Sequence, residues 1–179
     1  MEQKKSILLE VQIAKILISL LLIAIGIPLL LGFFSGTPLP SILSFIGSTA
    51  ALQALAAPVG VILDFDPWLV LAIMTTFAFG ICLAIWESLQ TFALTSERVN
   101  RWISRVEEKM QEHQSLHRYG PVSCILIAWI PGIGLYGTPA IAWILRWKRL
   151  PSVLFTVIGF FLASLLMIVL AEGASSILH

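Results

Sequence analysis

From Val11 to Phe34 the chain is apolar, apart from Gln12 and Lys15 near its start. A helix needs about 20 consecutive apolar residues to cross a bilayer core about 30 Å thick. This run exceeds that length, and Lys15 is close enough to its end to reach the interface. Lys4 and Lys5 ahead of it resemble the start of a signal peptide. The run is too long for such a leader, however, and Phe33-Phe34-Ser35-Gly36 offers no small-x-small cleavage site, so a retained membrane helix is expected. Composition agrees. The chain is 58 % hydrophobic and 12 % charged, where soluble domains run about 45–50 % and about 25 %. That excludes a water-soluble globule and a disordered chain alike. A net charge of +1 gives no field to draw nucleic acid, so the lipid bilayer is the expected partner.

Further apolar segments follow. Residues 41–63 are rich in Ala, Ser and Gly and are interrupted by Gln53, Pro58 and Gly60. Asp64-Phe65-Asp66-Pro67 closes them, and residues 68–92 form a clean span with Glu87 and Gln90 near its end. Residues 95–118 are the one strongly polar stretch. There Val99, Trp102, Ile103, Val106 and Met110 fall on one helical stripe opposite Arg98, Arg101, Arg105 and Lys109, which predicts an amphipathic surface helix. Residues 120–147 are apolar but broken by Pro131-Gly132-Ile133-Gly134-Leu135-Tyr136-Gly137-Thr138-Pro139, too rich in Gly and Pro to continue a helix. The basic run 146–149 leads into a last span, 151–171, with Glu172 beyond it.

Charge decides the topology. If every segment crosses, the 11 Lys and Arg divide six against five between the two faces. If residues 41–63 and 120–147 instead leave the membrane on the side they came from, all 11 share one face. Asp64, Asp66 and Glu172 then share the other, and the positive-inside rule favours this arrangement. Broken backbone at membrane depth survives only where protein or a water-filled cavity covers it. The expected fold is therefore an all-α integral membrane protein in one domain. It has three transmembrane helices (11–34, 68–92, 151–171), two opposed re-entrant helical hairpins (41–63, 120–147) and the surface helix 95–118. The N-terminus and that helix are expected on the cytoplasmic face of the cell membrane. Each hairpin is followed by a polar corner, a proline and a clean span, so the two halves form an inverted repeat with a substrate site expected between the hairpin tips.

Gln53, Pro58 and Gly60 form the candidate site on one tip, with Ser48 and Thr49 beside them. Pro131, Gly132, Gly134, Tyr136, Thr138 and Pro139 form it on the other. The glycines would let backbone approach a ligand, hydroxyls of Tyr136, Thr138 and Ser123 would add polar groups, and a helix starting after Thr138 would aim N–H groups at an anion. Glu87 and Glu172 are candidate proton carriers, though their places near predicted interfaces favour solvated carboxylates. His113 and His117 are too few for a metal site, and no metal or cofactor is expected. Cys82 and Cys124 read as small buried hydrophobes. There is no Walker loop, serine elbow or zinc-protease helix, so the chain is not expected to be an enzyme. Ala72, Ala78, Gly80 and Ala84 offer a small-residue face that a homodimer could use.

Arg118-Tyr119-Gly120-Pro121, followed by the run from Trp129 through Pro131-Gly132-Ile133-Gly134 to Ala140-Ile141-Ala142-Trp143, resembles the second-half signature of the small multidrug export protein family. That family is similar to the DedA/VTT (SNARE-associated) membrane proteins. The resemblance implies two opposed re-entrant hairpins and movement of a lipid or amphiphilic small molecule between leaflets. A proton-coupled drug exporter and a non-transporting membrane scaffold are the alternatives.

Overall fold

The computed structural model describes residues 2–95, 114–130 and 132–177. Most of the expected surface helix, together with His113 and Pro131, lies outside the described residues, as does the side chain of His117. Among the described residues the structure is helical, without strands. Helix α1 (Glu2–Leu17) runs through a π-helical stretch (Ile18–Gly26) into α2 (Ile27–Phe34). Helix α3 (Leu39–Leu52), a 3₁₀ turn (Gln53–Ala56) and α4 (Ala57–Ile62) follow. The rest are α5 (Pro67–Thr95), α6 (Gln114–Ile127), α7 (Gly134–Ile144) and α8 (Arg149–Ile177). Among the described residues, four stretches are long and apolar enough to cross a membrane: Glu10–Phe34, Leu39–Ile62, Pro67–Ala93 and Arg149–Gly173.

Pro28 has no N–H and cannot serve the carbonyl four residues back. Instead of a sharp kink, the backbone widens ahead of it, and Ile27 N–H donates to Leu22 C=O, five residues back. Ala24 in this stretch is fully buried against α5 at Gly80. A Cβ at Gly80 would sit 2.5 Å from the Ala24 backbone nitrogen. Gly80 and the buried Ala78 and Ala84 are thus taken up within the chain rather than left on a free face.

Three corners are built alike. Helices α2, α4 and α7 each end in a left-handed residue: Gly36 (φ 76°), Asp64 (φ 58°) and Arg146 (φ 55°). The next N–H reaches back to a carbonyl of the last turn: Thr37 to Gly32 at 3.1 Å, Phe65 to Gly60 at 3.0 Å and Trp147 to Ala142 at 2.9 Å. This is the Schellman closure, which satisfies helix-end carbonyls without outside partners. Ile62-Leu63-Asp64-Phe65 and Ile144-Leu145-Arg146-Trp147 are the same corner with opposite charge at the left-handed position. After the first, Asp66 Oδ1 caps α5, accepting from the N–H groups of Trp68 at 2.8 Å and Leu69 at 3.3 Å, with Pro67 in the first helical position.

Residues 39–62 do not run straight. The rings of Phe45 and Phe65 lie 5.6 Å apart, edge to face, where an uninterrupted helix would hold them about 30 Å apart. A Cβ at Gly60 would meet Phe45 at 3.1 Å, so α4 returns alongside α3. The second interrupted segment does the same. Gly120 in α6 packs directly on the Trp147 indole beyond α7. Helix α5 is the axis for both pairs. Near its start Val70 meets Gly60. Near its end Trp86 joins Trp143, Trp147, Ala142 and Cys124 in one buried cluster. The Asp64 corner and the Arg146 corner therefore lie at opposite ends of α5. Around this core the perimeter is apolar, with Phe34 82 % and Ile62 81 % exposed.

Gly80→Val forces apart two backbones that have no room to yield. It should cost about 1–3 kcal/mol, read as a lower unfolding midpoint in detergent. Gly47→Ala, whose Cβ meets nothing within 4 Å, should leave the midpoint unchanged or raise it.

Candidate functional site

The first turn breaks at Gln53, whose φ of 56° and ψ of −131° lie outside the helical basin. For a residue with a side chain this is a strained position. Gln53 is nevertheless 7 % exposed, and its partner explains why it is held there. Helix α7 begins at Gly134, four residues before the expected Thr138, and its first N–H groups have no partner within the helix. Leu135 N–H donates to Gln53 Oε1 at 3.2 Å. In the other direction the Tyr136 hydroxyl donates to Ala50 C=O, in the last turn of α3. Each broken helix thus has one of its unpaired ends closed by a side chain from the opposite turn. The two turns meet halfway along α5, where Cys82 Sγ lies 4.0 Å from Leu135 C=O. Pro139 accounts for that contact. It is set inside α7 and has no N–H to offer the carbonyl of Leu135, and the thiol, a weak donor, faces the carbonyl so freed.

The expected site residues separate into groups. Gln53, Gly134 and Tyr136 come together at the junction. Gly134 is required there, because a Cβ would lie 2.2 Å from Ala128 C=O. Gly132, at φ 84°, makes the turn itself and is exposed. Pro58 occupies the first turn of α4, where it removes no helical hydrogen bond, and Gly60 serves the packing of Phe45 and Val70. Neither lies in the tip. The hydroxyl protons of Thr138, Ser123, Thr49 and Ser48 all go to carbonyls one turn back, at Gly134, Gly120, Phe45 and Ser44. That is the local bond a hydroxyl makes in an apolar helix.

Between the turns lies a cleft of about 130 Å³, walled by residues 52–55, residues 128–130 and Ala163, Leu166 and Met167 of α8. Among the described residues its polar side-chain groups are the carboxamide of Gln53 and the indole N–H of Trp129. The rims at Leu52, Leu55, Trp129, Ile130 and Leu166 are half-exposed, so the cleft opens sideways onto the apolar perimeter. The α8 wall carried no mark in the sequence, since nothing distinguishes Ala163, Leu166 and Met167 from other residues of an apolar span.

Glu87 differs from expectation. It is buried, not solvated, and its Oε1 lies 2.6 Å from Arg149 Nη1. The reason is that α8 starts with Arg149 at the level where α5 still has two turns to run. Glu87 Oε2 and the indole N–H groups of Trp86 and Trp147 are buried there without hydrogen-bond partners among the described residues. Glu172 is exposed at the far part of α8.

Residues 53–166 match the model of the family described as "Putative small multi-drug export protein". The match takes in both turns, α5 and most of the α8 wall, and the chain belongs to this family. Neither a curated protein nor a solved structure matches it.

Gln53→Leu strands the Leu135 N–H, and Tyr136→Phe strands the Ala50 carbonyl. Each should lower stability by about 1–3 kcal/mol, and the double variant by less than the sum, because both bonds hold one seam. Thermal unfolding of the single and double variants in detergent measures this. Arg149→Met leaves Glu87 buried without its cation and should cost up to about 3 kcal/mol, which the added Glu87→Leu largely restores. Lys148→Met, at an exposed neighbour, should cost little.

Proposed function

We propose that this chain is a small DedA-like membrane transporter that moves a lipid or amphiphilic small molecule between leaflets through the junction of the two turns. The observation that carries the reading is the meeting of Gln53 and Ala50 with Leu135 and Tyr136 at mid-height of α5, beside a cleft open to the apolar perimeter. Two chain segments that come from opposite ends of the bundle and meet in its middle divide the membrane into two half-depth vestibules. A path between leaflets needs only the seam between them to part.

In this reading α1 with α2, α5 and α8 cross the bilayer. The α3/α4 and α6/α7 pairs are re-entrant and inverted with respect to each other. The acidic corner at Asp64 and Asp66 faces outward, and the basic corner at Arg146, Lys148 and Arg149 faces the cytoplasm. The N-terminus and residues 95–118 join the cytoplasmic side of the cell membrane, the partners are bilayer lipids, and the chain does no enzymatic chemistry.

Purified protein in liposomes should expose inner-leaflet fluorescent lipid to a membrane-impermeant quencher faster than empty liposomes do. Equal rates across several head groups would remove the reading. Single cysteines replacing Pro40 and Asp64 should react with an impermeant thiol reagent from outside, and one replacing Lys148 only from inside. Labelling of Pro40→Cys and Asp64→Cys from different faces would break the topology on which the path depends. The second reading, proton-coupled drug export, is favoured by one observation: Glu87 is a buried carboxylate with an unpartnered oxygen. It expects Glu87→Gln to abolish transport driven by a pH gradient. Lipid movement that persists in that variant without a gradient decides for the first reading.

A further inference from the structure

We propose that what enters the cleft is an uncharged carbonyl acceptor, an ester, ketone or amide oxygen, carried on an apolar chain or ring whose remainder stays in the surrounding hydrocarbon. The proposal rests on the transport reading and names the chemistry of the group that the junction receives. It starts from the carboxamide of Gln53. An N–H can be met only by an acceptor, so the bond from Leu135 N–H fixes the amide with its oxygen toward α7. Its NH₂ group makes no hydrogen bond among the described residues. It belongs to a side chain more than nine-tenths buried that lines the cleft, where the half-exposed Trp129 carries the other side-chain N–H among the described residues. A donor left against hydrocarbon is unfavourable, and an acceptor placed there relieves it.

Charge and size narrow the occupant. Among the described residues no cationic side chain lines the cleft. The nearest basic corner of α8, at Arg149, is 14 residues from Ala163, about 20 Å along the helix, and Arg149 is already engaged with Glu87. The N-terminus of α7 would otherwise draw an anion, but the Leu135 N–H there is spent on Gln53. An ionised phosphate or carboxylate would therefore be desolvated without compensation. The volume, about 130 Å³, is close to that of an engineered cavity of about 150 Å³ that holds one benzene ring. A carbonyl with a few carbons fits, and a phosphocholine or disaccharide head group does not. Because Leu52, Leu55 and Leu166 at the rim are half-exposed, the rest of the molecule need not enter.

The test uses the full chain in vesicles of ether-linked phosphatidylcholine, which carry no ester carbonyl to compete. Three photoreactive probes of equal chain length are compared: methyl hexadecanoate, hexadecane and hexadecyl phosphate, each bearing a diazirine. Adducts are mapped by mass spectrometry. The ester should label residues 52–55, 128–130 and 163–167 about three- to tenfold more than the alkane, and more than the phosphate. The unlabelled ester should compete. Leu166→Trp, which fills the cleft from its half-exposed rim and leaves Gln53, Ala50, Leu135 and Tyr136 untouched, should abolish the preference. Equal labelling by ester and alkane, stronger labelling by the phosphate, or ester adducts confined to other surfaces would each overturn the proposal. Ester labelling of the cleft by a protein that moves no lipid would keep the acceptor site and remove the transport reading. Lipid movement with the phosphate preferred in the cleft would do the reverse.

Discussion

A helix broken inside a hydrocarbon layer leaves carbonyls at one broken end and N–H groups at the other, with no water to take them. This chain breaks helices twice, after Leu52 and before Gly134, and places the two breaks against each other. Gln53 closes an end of α7, and Tyr136 closes an end of α3. Neither turn is self-sufficient. The seam therefore does the work that water does at the ends of soluble helices, and the rest of the bundle holds the two turns in register. Helix α5 supplies the common wall, Gly80 brings the first helix within backbone contact of it, and α8 closes the remaining side.

Much of this was legible in one sequence. Gly and Pro in the middle of apolar runs point to helices that break there. The contacts of Phe45 with Phe65 and of Gly120 with Trp147 bring together the chain on either side of each break. Gln53 and Tyr136 stood out as polar groups in apolar surroundings, and both lie at the junction. What was not legible depends on pairing across distance. The burial of Glu87 follows from where α8 begins relative to α5, and no local pattern reports that. Cys82 read as a small hydrophobe until Pro139, 57 positions away, left a carbonyl opposite it. Pro58 and Gly60 carried the composition of a tip, yet their place is in the return helix, because the left-handed break falls at a glutamine rather than at the nearby glycine.

The repeated corner shows how one backbone solution is given two addresses. Ile-Leu-Asp-Phe and Ile-Leu-Arg-Trp make the same left-handed closure with the same buried aromatic after it. The side chain at the left-handed position is exposed in both, and the same backbone closure carries an acid in one and a base in the other. Shape and charge are thereby written in separate residues. Phe65 and Trp147 fix the corner to its neighbours, while Asp64 and Arg146 give the two corners opposite charge.

Both groups that join the turns, a carboxamide and a phenol, are neutral. Parting them displaces no net charge through the transmembrane electric field, so the electrical work of opening is close to nil. A junction of this kind is indifferent to the membrane potential. Under the proposed transport it would answer instead to whatever competes in the apolar phase for the same donor and acceptor, a matter of solvation rather than of voltage.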